Sequence, residues 1–213
     1  MTEDLAARWD GAYARGDAAR SWFQAVPRMS LRMLDAAGVT AADSLIDVGG
    51  GASPLAAALL ARGFRDVTVL DISPAGMRYA RQRLSEAQAA QVHWLTADIR
   101  AWRPSRRFAV WHDRAVFHFM TSEPDRRAYL RALAAATAPG TAATAPGAVA
   151  VFGCFAPDGP ARCSGLPVAR YAPRDLAAEL GPGWTLIAQD REVHTTPAAQ
   201  TQPFTWAAFR RTR

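Results

Sequence analysis

"SLIDVGGGASPLAAALLARG", residues 44–63, decides how this chain is read. A short apolar run ends at Asp47 and Val48. Three glycines then turn the chain, and an alanine- and leucine-rich segment follows with helical composition. A strand that turns this tightly into a helix brings bare backbone and free helix N–H groups to one point, where a ligand can approach closely. If the dinucleotide pattern G-x-G-x-x-G is laid on Gly49 and Gly51, its third position falls on Pro54. That departs from the pyrophosphate-binding fingerprint.

Outward from this turn the chain alternates strand and helix. Upstream lie a helical region at 3–16 and a second helix within "SWFQAVPRMSLRMLDAAG" (21–38). Downstream come strand 66–72, helix 74–87, strand 92–99, strand 108–114, helix 124–137 and strand 148–156. A short helix at 173–180 precedes two strands, "WTLIAQDREVHTT" (184–196) and "QPFTWAAFRR" (202–211). Near-continuous apolar strands in repeated βα units predict an α/β, doubly wound, mostly parallel seven-stranded sheet with helices on both faces. The last two strands leave no room for a crossover helix, so they are expected to form an antiparallel C-terminal hairpin. The expected organisation is one domain over 1–213: a helical lid (1–38), a ligand-binding core (40–155), and a substrate-side loop with the hairpin (156–213). "TAPG" occurs twice within 137–147 and reads as a loop duplication without a chemical role.

The 213 residues carry a net charge of +6, and all 25 basic residues are arginine. The absence of lysine excludes Schiff-base chemistry and a P-loop lysine. The arginines are scattered and do not form an aromatic-interleaved stripe, so no nucleic-acid partner is expected. No apolar run is long enough to span a membrane and no signal-peptide pattern opens the chain, which predicts a cytoplasmic protein. Cys154 and Cys163 have no metal-ligand spacing, and no metal site is expected.

Two further acids sharpen the reading of the glycine turn. Asp71 closes the second strand about 20 residues past the glycines, where a carboxylate can take both hydroxyls of a ribose. Asp98 closes the third strand and is followed by apolar Ile99, a pair suited to an adenine amino group beside a hydrophobic wall. With Asp47, all three acids lie at the carboxyl ends of parallel strands, the edge where open α/β sheets bind ligands. Each alone also fits a helix cap.

The segments "LIDVGGGASPL", "VTVLDIS" and "LTADI" resemble the first three motifs of the Rossmann-like S-adenosylmethionine-dependent methyltransferases. The resemblance covers most of residues 40–155. It implies S-adenosyl-L-methionine as cofactor, with Asp47, Gly49, Gly50, Gly51 and Ser53 near its methionine portion. Asp71 and Ile72 would then stand at the ribose, and Asp98 and Ile99 at the adenine. "WHDRAVFHFM" (111–120) and "RWDGAYARGDAARSWF" (8–23) are similar to segments of thiopurine methyltransferases and of elongation factor 1A lysine methyltransferases. By that similarity Trp9, Tyr13 and Trp22 close over the cofactor and Arg114 lines its pocket.

"HDRAVFHF" supplies candidates for the reacting end: His112, Asp113 and His118 as catalytic groups, with Phe117 beside the substrate. His112 and Asp113 are neighbours in a strand and point to opposite faces. Asp113 fits an acceptor contact, a cofactor contact or a structural cap, and His118 fits a packing role as well. The Pro- and Gly-rich "FAPDGPARCSGLPVARY" (155–171) is long for a loop and is expected to wall the substrate. It offers Arg162 and Cys163, and His194 lies near the same rim or serves only as a strand-end residue. The function expected is methyl transfer to a sulfur, nitrogen or oxygen of a small molecule by a monomer or homodimer. A protein lysine methyltransferase is the alternative, and a non-catalytic adenosine-binding module a third.

Overall fold

The computed structural model describes residues 2–17, 20–138 and 147–212. The repeated TAPG segment falls largely outside the described residues. The chain runs α1 (Thr2–Ala14), α2 (Arg28–Ala36), β1 (Leu45–Val48), α3 (Leu55–Ala61), β2 (Val67–Asp71), α4 (Pro74–Arg81), α5 (Glu86–Ala89) and β3 (Val92–Thr96). It continues with β4 (Val110–Arg114), a 3-10 turn (Phe117–Phe119), α6 (Glu123–Ala136), β5 (Val149–Phe155), β6 (Arg162–Cys163), β7 (Leu166–Pro167), α7 (Pro173–Leu180), β8 (Trp184–Thr195) and β9 (Thr201–Arg211).

The main sheet has seven strands in the order β3-β2-β1-β4-β5-β9-β8. The first five are parallel, and β9 is antiparallel to both β5 and β8. This is the doubly wound architecture with its antiparallel terminal hairpin. The order reverses direction at β1 and β4, the switch point where open sheets bind ligands. No helix among the described residues is long and apolar enough to cross a membrane.

Strand side chains alternate between two cores. Leu45, Val67, Val69 and Val110 pack with Met33, Leu34, Leu55 and Leu59 of α2 and α3 on one face. Ile46, Val48, Leu70 and Trp111 pack with Tyr129, Leu133 and Leu176 of α6 and α7 on the other. The period of two then fixes where polar residues at the strand ends must point. Asp47 and His112, in register on adjacent strands, share the α2/α3 face. Asp113 shares the α6/α7 face with Trp111.

Three local expectations change. The helix expected across 21–38 forms only from Arg28, because Pro27 disfavours helical backbone in the residue before it; residues 20–27 run as an irregular strap. The single helix expected at 74–87 breaks after Arg81. A new turn, α5, starts at Ser85, whose hydroxyl accepts from Gln88 N while the Gln88 side chain accepts from Ser85 N, a reciprocal cap strong enough to nucleate a separate helix. Within the long loop after β5, Ser164 and Gly165 both have positive φ (51° and 77°) and fold β6 and β7 into a small hairpin. Two successive positive φ values are what a two-residue hairpin turn requires.

Candidate active site

The glycine turn sits at the carboxyl ends of β1 and β2. Gly49 has φ 69°, donates to Leu70 O at 2.6 Å, and leaves no room for a Cβ, which would strike the Val116 side chain. At Gly51 (φ 37°) a Cβ would collide with the Tyr13 hydroxyl and crowd Asp71. Both positions therefore require glycine for conformation and for space.

Beside this turn a cavity of about 280 Å³ opens along the sheet edge. Its floor is Val48, Gly49, Leu70, Asp71 and Ile72, and one end is Ala97, Asp98, Ile99 and Arg100. The roof is Leu5, Trp9 and Tyr13 of α1 with Trp22 of the strap. The far wall combines Arg114, Ala115, Val116, Phe119, Met120 and Thr121 with Cys163, Leu166 and Pro167 of the small hairpin. A smaller cavity of about 50 Å³ lies under the strap, lined by Arg20, Trp22, Phe23, Asp47, Gly50, Ser53 and His112 among others. Tyr13, Trp22, Gly49 and Arg114 line both and stand between them.

The two acids of the larger cavity differ in state. Asp71 is 5 % exposed. Burial pushes its pKa up to about 7; the Ser73 and Gly51 amides oppose this, and the charges of Asp47 and Asp10 add to it. Ser73 N donates to it at 2.7 Å. For Asp98, burial alone would raise the pKa. The Arg100 guanidinium, reaching both oxygens at 2.6–3.1 Å, and its amide at 2.9 Å outweigh this and hold Asp98 below the ordinary carboxylate value.

Around the smaller cavity several buried polar atoms have no hydrogen-bond partner among the described residues. They are Asp47 Oδ2, His112 Nε2, Arg20 Nη1, and Arg114 Nε and Nη2. The remaining groups of these residues are fixed: His112 Nδ1 lies 2.8 Å from Asp47 Oδ1, Arg20 pairs with Asp17, and Arg114 Nη1 donates to Trp22 O at 2.9 Å. Native proteins leave few buried polar groups unmatched, so unmatched groups of both charges beside one cavity point to a ligand with both charges.

The lid is bound to the core at several points. Asp10 of α1 accepts from Ser73 Oγ and from Ala75 N (3.1 Å), adding a cap at the start of α4. Arg8 donates to Ser164 O at 2.8 Å, joining α1 to the hairpin. Trp9 meets Trp22 and Phe119 edge-on at 5.8 and 5.3 Å between centroids, and Tyr13 meets Trp22 at 6.0 Å.

Of the residues singled out in the sequence, Trp9, Tyr13, Trp22, Asp71, Ile72, Asp98, Ile99, Arg114, Cys163 and Gly49 line the larger cavity. Asp47, Gly50, Ser53 and His112 line the smaller, and Gly51 lies beneath Tyr13. The structure does not bring Asp113, His118, Phe117, Arg162 or His194 to either wall. Asp113 is on the opposite sheet face. Its carboxylate accepts from Val116 N (3.0 Å), Phe117 N (3.0 Å) and the Tyr129 hydroxyl, so it caps a turn in which Ala115 has φ 67°. Its pKa, raised to about 6 by burial, reflects that enclosure.

Phe117 packs among Tyr129, Phe152 and Tyr171. His118 is fully buried against Phe119 and Phe155, and burial with the nearby Arg114 lowers its pKa to about 3. Arg162 donates to Gly165 O within its own hairpin. His194 Nε2 donates to Ser21 O at 2.8 Å.

Sequence reading missed Arg20, Phe119, Leu166 and Pro167. Phe119 reaches the wall because the 3-10 turn, not an α-helix, follows β4 and rotates it away from Phe117. Arg20 had one available signal, its place between Tyr13 and Trp22 in the aromatic lead-in. Among the described residues no group of three or more His, Cys, Asp or Glu side chains could hold a metal ion.

Residues 45–140 match the family model of a methyltransferase domain. No curated protein matches the sequence. Among solved structures, one from work on conversion of a disulfide bond into a thioacetal group during echinomycin biosynthesis is 23% identical. It covers 98% of this chain and 92% of its own, with a TM-score of 0.74. The 1,6-didemethyltoxoflavin-N1-methyltransferase of Burkholderia thailandensis is 18% identical over 100% of this chain and 91% of its own, with a TM-score of 0.70. N-methyltransferase NodS from Bradyrhizobium japonicum WM9, in complex with S-adenosyl-L-homocysteine, is 16% identical over 97% and 99%, with a TM-score of 0.66. The span that matches a methyltransferase domain contains the glycine turn and all three strand-end acids, and the sheet that carries them has the Rossmann-like fold of these methyltransferase structures.

Proposed function

We propose that this protein transfers a methyl group from S-adenosylmethionine to a sulfur, nitrogen or oxygen of a small molecule. The larger cavity takes the nucleoside: Asp71 accepts from the ribose hydroxyls, and Asp98 and Ile99 meet the adenine. The smaller cavity takes the amino-acid end. Asp47 Oδ2 is the buried acceptor available to an ammonium, and Arg20 Nη1 and Arg114 Nε and Nη2 are the buried donors available to a carboxylate. Those unmatched charges of opposite sign, next to a nucleoside-shaped cavity, are the observation that carries the reading. A dinucleotide or nucleoside triphosphate would leave Asp47 facing phosphate.

The bound cofactor supplies a methyl carbon already activated by the positive sulfur. The protein aligns the acceptor, excludes water and holds the reacting groups in line. The space left for an acceptor is the apolar part of the larger cavity, between Leu5 and Trp9 on one side and Phe119, Met120, Leu166 and Pro167 on the other. Its closure by both α1 and the hairpin favours a small acceptor over an extended protein segment. No histidine lines this cavity among the described residues, so the reading assigns no general base. Two of the neighbours described above carry names of N-methyltransferases, which is in keeping with a heteroatom acceptor.

Two measurements test this. Calorimetry with S-adenosylhomocysteine is expected to show binding that Asp47→Asn and Asp71→Ala each weaken at least tenfold, about the loss of one charge-assisted hydrogen bond. Absence of binding, or preferential binding of NAD or ATP, would end the reading. A labelled-methyl assay over thiols, amines, phenols and protein extract then identifies the acceptor class.

A further inference from the structure

The strap at residues 20–24 carries Arg20 and Trp22 into the site, yet it is held from the far end of the sequence. His194 of β8 donates Nε2–H to Ser21 O at 2.8 Å. Arg114 at the end of β4 donates to Trp22 O at 2.9 Å. Glu192, two residues before His194 on β8, accepts from Gln24 Nε2 at 2.6 Å through one oxygen and from Trp206 Nε1 at 2.8 Å through the other. Three points of the strap, at Ser21, Trp22 and Gln24, are thus bound to side chains of the core, while its own backbone has no helix or sheet ladder to hold it. Trp22, between two of these anchors, is part of the wall dividing the two cavities. A ligand that occupies both cavities lies against this side chain.

We propose that Glu192 and His194 are positioning residues that latch the strap shut over the cofactor, so that the terminal strand pair sets how fast the ligand exchanges. Neither side chain lines the larger or the smaller cavity, so neither is a catalytic residue. Glu192 acts through Gln24, and His194 acts through Ser21 and Trp22. The assignment deepens the function proposed above and rests on it for the identity of the ligand, although the latch itself is a property of the ligand-free chain.

The latch predicts that opening is local. Two variants each remove one anchor with little change of shape. Gln24→Leu takes away the donor to Glu192, which keeps its bond from Trp206. His194→Phe keeps the ring beside Phe204 and loses the donor. In the ligand-free protein, trypsin cleavage after buried Arg20 reports the open population when opening and closing are fast. Each variant is expected to speed that cleavage about tenfold, the effect of one lost hydrogen bond, with little shift in the urea midpoint of global unfolding.

With S-adenosylhomocysteine bound, the dissociation rate is expected to rise by roughly the same factor. Combining either variant with Trp22→Ala should then give less than the product of the separate effects, because the wall that the latch positions is gone. Unchanged cleavage after Arg20, or cleavage that rises only in step with lost global stability, overturns the latch. So does an unaltered dissociation rate. If S-adenosylhomocysteine fails to bind the wild-type protein, the cofactor reading falls, and the cleavage experiment still decides the latch on its own.

Discussion

Asp71 is the group whose behaviour the site predicts most sharply. In the ligand-free protein burial holds its pKa near 7, with Asp47 and Asp10 adding to the shift and the Ser73 and Gly51 amides resisting it. Ribose hydroxyls donate to a carboxylate and are poor partners for a carboxylic acid, so binding selects the ionised form. Ligand uptake therefore expels a proton whenever Asp71 starts out protonated. Below a pKa of about 7, the ionised fraction falls about tenfold per pH unit, and the apparent affinity falls with it. Calorimetry of S-adenosylhomocysteine in buffers of different ionisation enthalpy counts the proton directly. Release should approach one per site about a unit and a half below the pKa, and drop under one half above it.

Stability gives the complementary sign. Between the unfolded value of 3.8 and the folded value of about 7, the native state holds a proton that the unfolded chain lacks. The Asp71 contribution is therefore fully present below the unfolded value and is lost as pH rises through the folded one. Saturating ligand should remove that part of the decline. Asp71→Asn abolishes both the proton release and the pH slope. An affinity that is flat across this window, with no proton released by the wild type, would refute the placement of Asp71 at the ribose.

Other expectations follow from the same contacts. Asp113→Ala strips the partner from the buried Phe117 amide, the half-buried Val116 amide and the Tyr129 hydroxyl and should cost about 3 kcal/mol or more in urea unfolding. The folded fraction should still bind S-adenosylhomocysteine; intact stability with lost turnover would return Asp113 to the reaction. Asp10→Ala removes an acceptor from the start of α4. A loss of about 1 kcal/mol in thermal or chemical unfolding is expected, together with several-fold weaker ligand binding as α1 loosens. Ala115 holds φ 67° without being glycine, and Ala115→Gly should relieve up to about 1 kcal/mol of strain in chemical denaturation. Destabilisation would instead show that its methyl, packed at the edge of the core, outweighs the backbone cost.

The sheet and the acid-lined rim were legible because each rests on local information. Asp47, Asp71 and Asp98 sit at or just past strand ends, and the glycines fall where the chain must turn. The alternation of strand side chains also separated His112 from Asp113 correctly, although only the register of β1 with β4 shows that His112 meets Asp47. What stayed hidden depends on long-range pairing. Nothing near Ser21 in the chain announces His194, and nothing near Gln24 announces Glu192. The aromatic wall was misassigned by two residues, from Phe119 to Phe117, because a short 3-10 turn shows no readable period.

Strand β8 touches the sheet only through β9, although β9 follows it in the chain. Until β9 has docked beside β5, the hairpin of β8 and β9 is separate from the sheet and β5, apolar along its whole length, presents an open edge. Unpaired edges of this kind invite association between half-finished chains. Yields of soluble protein should therefore be most sensitive to substitutions that slow the docking of residues 201–211.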